Sequence, residues 1–192
     1  MSYSRLGTGD SEKANDYLEI QAPIELELLT QLTTLLRAGK LHPEIPAPKK
    51  VVHVGHSYGS LLTNALAASA PTLTDGVILT GFTLNTTWQR WFLINTGFNI
   101  AKNNEPVRFA DYGTGSLIWP NKYHNQFSFL KYPNFDPAVL DKAEATKQPF
   151  TIGELLTGGL VPVIASNFTG PALVSRTSLL ANIDFHHALR IC

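Results

Sequence analysis

The hydrophobic period changes along this chain, and the changes divide it into elements. Ile24, Leu28, Leu32, Leu35 and Leu36 recur at helical spacing, which predicts an amphipathic helix over Ala22 to Arg37 with that stripe facing the core. Pro23 sits in the first turn, where its missing N–H costs nothing, and Gly39 follows the last periodic residue. The polar stretch before this helix, Met1 to Tyr17, reads as a loop, and Leu41 to Lys50, with three prolines, reads as a linker. Val51 to Val54 is β-branched and apolar apart from His53, which predicts a short strand buried on both faces. Tyr58 to Ser69 reads as a helix with a small-residue near face of Gly59, Ser60, Ala65 and Ala68. Asp75-Gly76 signals a turn and Val77 to Thr80 a second buried strand. Strand, helix and strand with short links form a βαβ unit, so the two strands are expected to lie parallel.

The text changes after Gly81. From Phe82 to Phe150 aromatic residues are frequent, all three tryptophans (Trp88, Trp91, Trp119) occur, and Asn, Gly and Pro interrupt the apolar runs. Trp88 to Ile100 is expected to be an amphipathic helix, and Pro137 to Lys147 another, opened by Asp136 as N-cap. Thr151 to Thr157 adds a short helix, and Pro171 to Val174 is β-prone. This region reads as a helical insertion rather than more sheet.

Between the first strand and the helix after it stands Gly55-His56-Ser57-Tyr58-Gly59. A G-x-S-x-G run in a strand–turn–helix context is the pattern of a nucleophile elbow. A serine hydroxyl is a weak nucleophile at neutral pH and needs a base, usually a histidine oriented by a carboxylate. The elbow supplies the other half: a sharp turn exposes the Ser57 hydroxyl, and the helix start aims the Tyr58 amide at a developing oxyanion. A β-carbon at Gly55 or Gly59 is expected to collide with the neighbouring helix or strand. The competing reading is a tight turn whose serine only caps a helix.

Composition narrows the partners. The chain has 192 residues, enough for one domain with a sizeable core, and 44% of them are hydrophobic. Fifteen basic residues balance 15 acidic ones, so no electrostatic grip on nucleic acid is expected, and a neutral or apolar small molecule fits better. Cys192 is the sole cysteine, which precludes an intrachain disulfide and a cysteine metal site. No metal-ligand spacing, phosphate loop or dinucleotide fingerprint appears, so no metal or cofactor is expected; Gly7-Thr8-Gly9 has no strand before it and lacks a third glycine. No signal segment or transmembrane run is visible, and the compartment and oligomeric state stay open. Asn85-Thr86-Thr87 and Asn167-Phe168-Thr169 would accept glycans only in a secreted chain.

At these residues the chain resembles the α/β-hydrolase superfamily, and within it a fungal and bacterial group. Ser4-Arg5-Leu6-Gly7-Thr8-Gly9-Asp10-Ser11 is similar to that group's Asp-Arg-x-Gly-x-Gly-x-Ser loop, with Ser4 in place of Asp. Val52 to Ser60 resembles the strand and elbow, Asp75 to Thr80 the next strand, and Phe82 to Phe168 the helical cap that roofs an apolar pocket. The resemblance implies an α/β fold, a parallel sheet with flanking helices and a helical cap insertion, of which this chain holds an incomplete part. On that reading residues 1–81 form part of the hydrolase core, 82–168 the cap, 169–174 the start of a returning strand and 175–192 a divergent tail. The resemblance implies that strands before the loop would bring a second oxyanion donor, that the catalytic acid would follow the strand beginning near Pro171, and that the catalytic histidine would follow the last strand. The likeness stops at Val174. A shifted reading frame, a retained intron or a truncated isoform would produce such a tail.

The implied chemistry is serine hydrolysis of an ester, amide or thioester of an apolar small molecule. Ser57 would be the nucleophile and Tyr58 the backbone oxyanion donor. With no acid or base identifiable, activity is expected to be weak or lost, and the alternative is a non-catalytic binding or regulatory module. His56, Trp88, Trp91, Trp119 and Phe127 are candidate pocket residues, with Phe92, Phe98 and Phe129 beside them, although aromatic stripes also build cores. His53 reads as a hydrogen-bonded core histidine, His124 as a surface residue or remote base, and His42 as solvated. Asp184, His186 and His187 are the right residue types for an acid and base, but at a spacing too short to join two strand ends.

Overall fold

A computed structural model describes residues 1–85, 87 and 89–175. Trp88 and the tail with Asp184, His186 and His187 lie outside the described residues. The chain is mixed α/β. Helix α1 spans Ala22–Arg37, strand β1 Val52–His56, helix α2 Tyr58–Ser69 and strand β2 Gly76–Thr80. Strand β1 pairs parallel with β2, with Val54 opposite Ile78 and His56 opposite Thr80. Strand β6, Ala172–Ser175, pairs parallel with the other side of β2, so the sheet order is β1-β2-β6. The expected parallel unit is present, with helices α1 and α2 beside it.

Among the described residues only one face of this sheet is covered. Helix α2 packs on the face carrying Gly55, Val77 and Leu79, where Ala67, Val77 and Leu79 meet Phe82, Ala165 and Phe168. On the other face Val52 is 53% and Val54 68% exposed, and Leu173 of β6 is 58% exposed. The expectation that β1 is buried on both faces is therefore corrected. Its Val52 and Val54 share the open face while His53 and Gly55 lie on the packed one, and among the described residues only α2 and β2 pack extensively against it.

Helix α1 has the predicted bounds but turns a different side inward. Ala22, Glu25, Leu29 and Thr33 are buried, whereas Ile24, Leu28 and Leu35 are 36–40% exposed. The inward side meets α2: Leu29 packs with Leu62 and Leu66, and Ala22 with Ala65 and Val161. Two apolar stripes compete on this helix, and the one with small and polar members wins because it allows close approach to α2. Thr33 also bonds His53 Nε2 at 3.0 Å, while His53 Nδ1 meets the Thr74 hydroxyl at 2.9 Å. His53 is thus the hydrogen-bonded core histidine expected, its pKa pushed down by burial and by Arg37. Arg37 and Asp75 close the far end, where the Asp75 carboxylate accepts from the Val51 amide at 2.7 Å and pairs with Arg37.

Residues after Gly81 form helices α3 (Gln89–Thr96), α4 (Ala101–Asn104), α5 (Lys122–Phe129), α6 (Pro137–Thr146) and α7 (Ile152–Thr157). The helix expected to reach Ile100 ends at Thr96, before Gly97 at φ 57°. Asp136 caps α6 through the Ala138 amide, as its position predicts. The region is not purely helical. Strands β3 (Asn99–Ile100), β4 (Ser116–Ile118) and β5 (Phe150–Thr151) form a small antiparallel sheet. Strands of two or three residues are too short to show a period in the sequence. Asp16 ties the N-terminal loop to this sheet, accepting from the Gly115 amide at 3.0 Å and the Ser116 hydroxyl at 2.9 Å. The Lys147 ammonium, nearly fully buried, is held by Glu105, Glu144 and the Trp119 carbonyl.

The two elbow glycines differ. A β-carbon at Gly55 would lie 2.7 Å from the Ser60 Cα and closer still to the Gly59 backbone, whereas one at Gly59 meets nothing within 4 Å. The expected collision holds for Gly55 and is corrected for Gly59, which faces open space. Gly55→Ala is expected to cost about 1–3 kcal/mol by overpacking backbone against backbone, and Gly59→Ala to be neutral or slightly stabilising through helix propensity. Urea unfolding of both variants checks the contrast.

Candidate functional site

Ser57 stands where β1 ends and α2 begins. Its φ is 51° and ψ −117°, and it is the sole non-glycine at positive φ among the described residues. Such a conformation costs of order 1–3 kcal/mol and persists only where the surroundings enforce it. Three contacts do so. The Ser57 amide donates to the Thr80 carbonyl at 2.9 Å, the Ser60 hydroxyl donates to the same carbonyl at 2.8 Å, and Gly55 lets α2 lie directly on β1. The turn is bolted to the end of β2 from both sides.

The strained turn places the Ser57 side chain outward, exposed to solvent. The hydroxyl does not cap α2, which removes the reading in which this serine exists to satisfy a helix start. Among the described residues the amides of Tyr58 and Gly59 donate no hydrogen bond. They are first-turn donors with no intrahelical acceptor, reinforced by the helix dipole. An oxygen bearing negative charge is the group such a pair can stabilise.

No base meets this serine among the described residues. His56 is exposed, its Nδ1 2.9 Å from the Thr80 hydroxyl. That hydroxyl donates to the Gly55 carbonyl at 3.1 Å, so it accepts from His56 Nδ1–H and the Nε2 lone pair is left toward solvent. His124 lies on α5, bonded to the Asn95 carbonyl at 3.0 Å, and His42 sits in the proline-rich linker.

The candidate pocket aromatics divide. Trp119 packs with Phe98 at 5.5 Å and with Phe129 at 5.2 Å between ring centroids, and Phe129 meets Phe92 at 5.7 Å. Phe98 stacks on Phe150, whose ring is edge-on to Tyr58 at 5.1 Å. A continuous aromatic path therefore runs from this cluster to the residue after Ser57. Trp91 and Phe127 are 44% and 45% exposed and stand at the surface instead. A cavity of about 310 Å³ between α1, the end of α2 and residues 160–162 contains none of the elbow residues.

The sequence reading missed a buried charge cluster beneath Tyr58. Arg5, from the N-terminal loop, pairs with Glu154 and lies 3.8 Å from Glu25. Its guanidinium sits 4.8 Å from the centre of the Tyr58 ring. Glu154 also closes a capping box with Thr151 at the start of α7. Glu25 is 1% exposed, and among the described residues neither of its carboxylate oxygens has a hydrogen-bond partner; the buried Tyr58 hydroxyl has none either. Burial pushes the Glu25 carboxyl up to about 7, an effect that the Arg5 charge only partly offsets. Burial, with Glu25 nearby, also pushes the Tyr58 and Tyr3 phenols up. The signals available were Thr151-x-x-Glu154 as a capping box and Glu25 on the same helical side as Ala22 and Leu29.

No protein-family model matches the chain, and no curated protein matches it. Among the described residues no group of His, Cys, Asp and Glu is arranged to hold a metal ion, and no helix is long and apolar enough to cross a membrane.

The raised Glu25 pKa has a stability consequence. Its folded value of about 7 exceeds the ordinary 4.5, so its contribution is complete below pH 4.5 and is lost as pH rises through 7. Glu25→Gln is expected to leave stability nearly unchanged at pH 5 and to raise it at pH 8, on the order of 1–3 kcal/mol. Chemical denaturation at the two pH values reads the difference.

Proposed function

We propose that this chain belongs to the acyl-transfer enzymes of α/β-hydrolase type, with Ser57 as nucleophile. The observation that carries the reading is the Ser57 backbone: a strained, positive-φ serine between a parallel strand and a helix, with, among the described residues, no hydrogen-bond partner for its hydroxyl or for the two amides beside it. In this reaction the Ser57 oxygen attacks the carbonyl of an ester, amide or thioester and its proton passes to a base. The carbonyl oxygen takes the charge against the Tyr58 amide. Collapse expels the alcohol, amine or thiol with a proton, and water then releases the acid and restores Ser57. The aromatic path through Phe150, Phe98 and Trp119 favours an apolar acyl or aryl group over a sugar or nucleotide. With balanced charge, nucleic acid is a poor partner.

On this reading the base and its carboxylate lie outside the described residues; Asp184, His186 and His187 have the right residue types but a spacing too short to join two strand ends. The free Ser57 hydroxyl favours a second reading too, a module that binds an apolar acyl compound without turning it over. A fluorophosphonate probe separates them. Labelling that disappears in Ser57→Ala is the expected outcome of the enzyme reading, with turnover of a p-nitrophenyl ester falling by about 10²-fold or more. A folded chain that binds the ester but never labels supports the binding module.

A further inference from the structure

The buried cluster around Arg5 is not used by the chemistry just described, yet it touches the elbow. Arg5 leaves the N-terminal loop, pairs with Glu154 of α7, and covers the Tyr58 ring from one side. Phe150 meets the same ring edge-on. Tyr58 is the first residue of α2, so its ring and its amide move together about one Cα. Holding the ring restrains the amide of the residue that follows Ser57.

Glu25 is the odd member. Two carboxylates face one guanidinium, and Arg5 is committed to Glu154. Glu25 is left fully buried with both oxygens unbonded. The charged and titratable groups facing it are Arg5 and Tyr3 from the N-terminal loop, Tyr58 from α2 and Glu154 from α7. When Glu25 carries a proton, Arg5 answers to Glu154 alone and stays over the ring. When Glu25 is ionised, an unpaired buried carboxylate competes for Arg5 from 3.8 Å away, since an uncompensated buried charge is costly.

We propose that Glu25 is a positioning residue for the elbow: acting through Arg5 on the Tyr58 ring, its gain or loss of a proton changes how firmly the amide beside Ser57 is held. The effect on reaction rate rests on the acyl-transfer reading; the effect on Tyr58 does not. The shift that burial imposes on Glu25 places the exchange within reach of neutral pH.

The test follows the Tyr58 backbone amide by NMR from pH 5 to pH 9 in the full chain, alongside the rate of fluorophosphonate labelling at Ser57. The wild-type amide is expected to titrate with a midpoint near that of Glu25. In Glu25→Gln it is expected to be flat, and in Arg5→Gln the titration is expected to shrink because the link is cut. Labelling of Glu25→Gln is expected to exceed wild type at pH 8 by about three- to tenfold, with the two converging at pH 5.5, since small displacements of a reacting group carry penalties of this order. A flat wild-type amide overturns the proposal without any variant. A titration that persists unchanged in Glu25→Gln or Arg5→Gln also overturns it. If Ser57 never labels while the Tyr58 amide titrates with Glu25, the coupling stands and the acyl-transfer reading falls. If Ser57 labels and the amide is flat, the reading stands and the coupling falls.

Discussion

The absence of a side chain at Gly55 is the constraint on which the rest of the elbow depends. It lets the first turn of α2 lie against β1 with backbone in contact with backbone. That closeness lets one carbonyl, Thr80 O at the end of β2, receive both the Ser57 amide and the Ser60 hydroxyl. The chain between them has no room to relax, and Ser57 is forced to positive φ. The strain is local, but its support is not. It comes from the parallel register that sets His56 opposite Thr80, and so from packing of Ala67, Val77 and Leu79 under the sheet.

A second layer fixes Tyr58 from the opposite direction. Arg5 and Phe150 reach it from segments that are far apart in sequence, one before α1 and one in the small antiparallel sheet. The N-terminal loop is in turn anchored to that sheet through Asp16, whose carboxylate holds Gly115 and Ser116. Residues around the Ser57 turn are thus governed by different parts of the molecule. His56 and Ser57 answer to the parallel sheet, and Tyr58 answers to the N-terminal loop and the aromatic segment. This division explains why a titration at Glu25 can reach the elbow without altering the sheet that strains it.

Local signals carried most of the legible information. Helices α1, α2 and α6 could be read from period, proline and cap, because each is written within a few neighbouring residues. The strand–turn–helix around Ser57 was legible for the same reason: its glycine, serine and flanking strand are contiguous. What failed was long-range. The inward side of α1 depends on α2, and nothing within α1 distinguishes Leu29 and Thr33 from Ile24 and Leu28. The Arg5–Glu154 pair joins residues 149 positions apart, and no local pattern announces it. The role assigned to Gly59 failed because it was inferred from a motif rather than from a neighbour, and the neighbour is not there.

Exposure of the Ser57 hydroxyl bears on how the proposed chemistry could operate. Amide donors stabilise an oxyanion far better in a dry site than in water, because water screens the charge and competes for it. Here the apolar surroundings reach the elbow on the Tyr58 side, through Phe150 and the rings beyond it, while among the described residues the Ser57 side is open. Dehydration would then have to come from the substrate's own apolar body laid along that aromatic path. Acyl chain length would act on the rate of the chemical step as well as on binding, since a longer chain excludes more water from the two amides. A short, polar ester would meet the same serine and the same donors in a wet site, and would gain little from either.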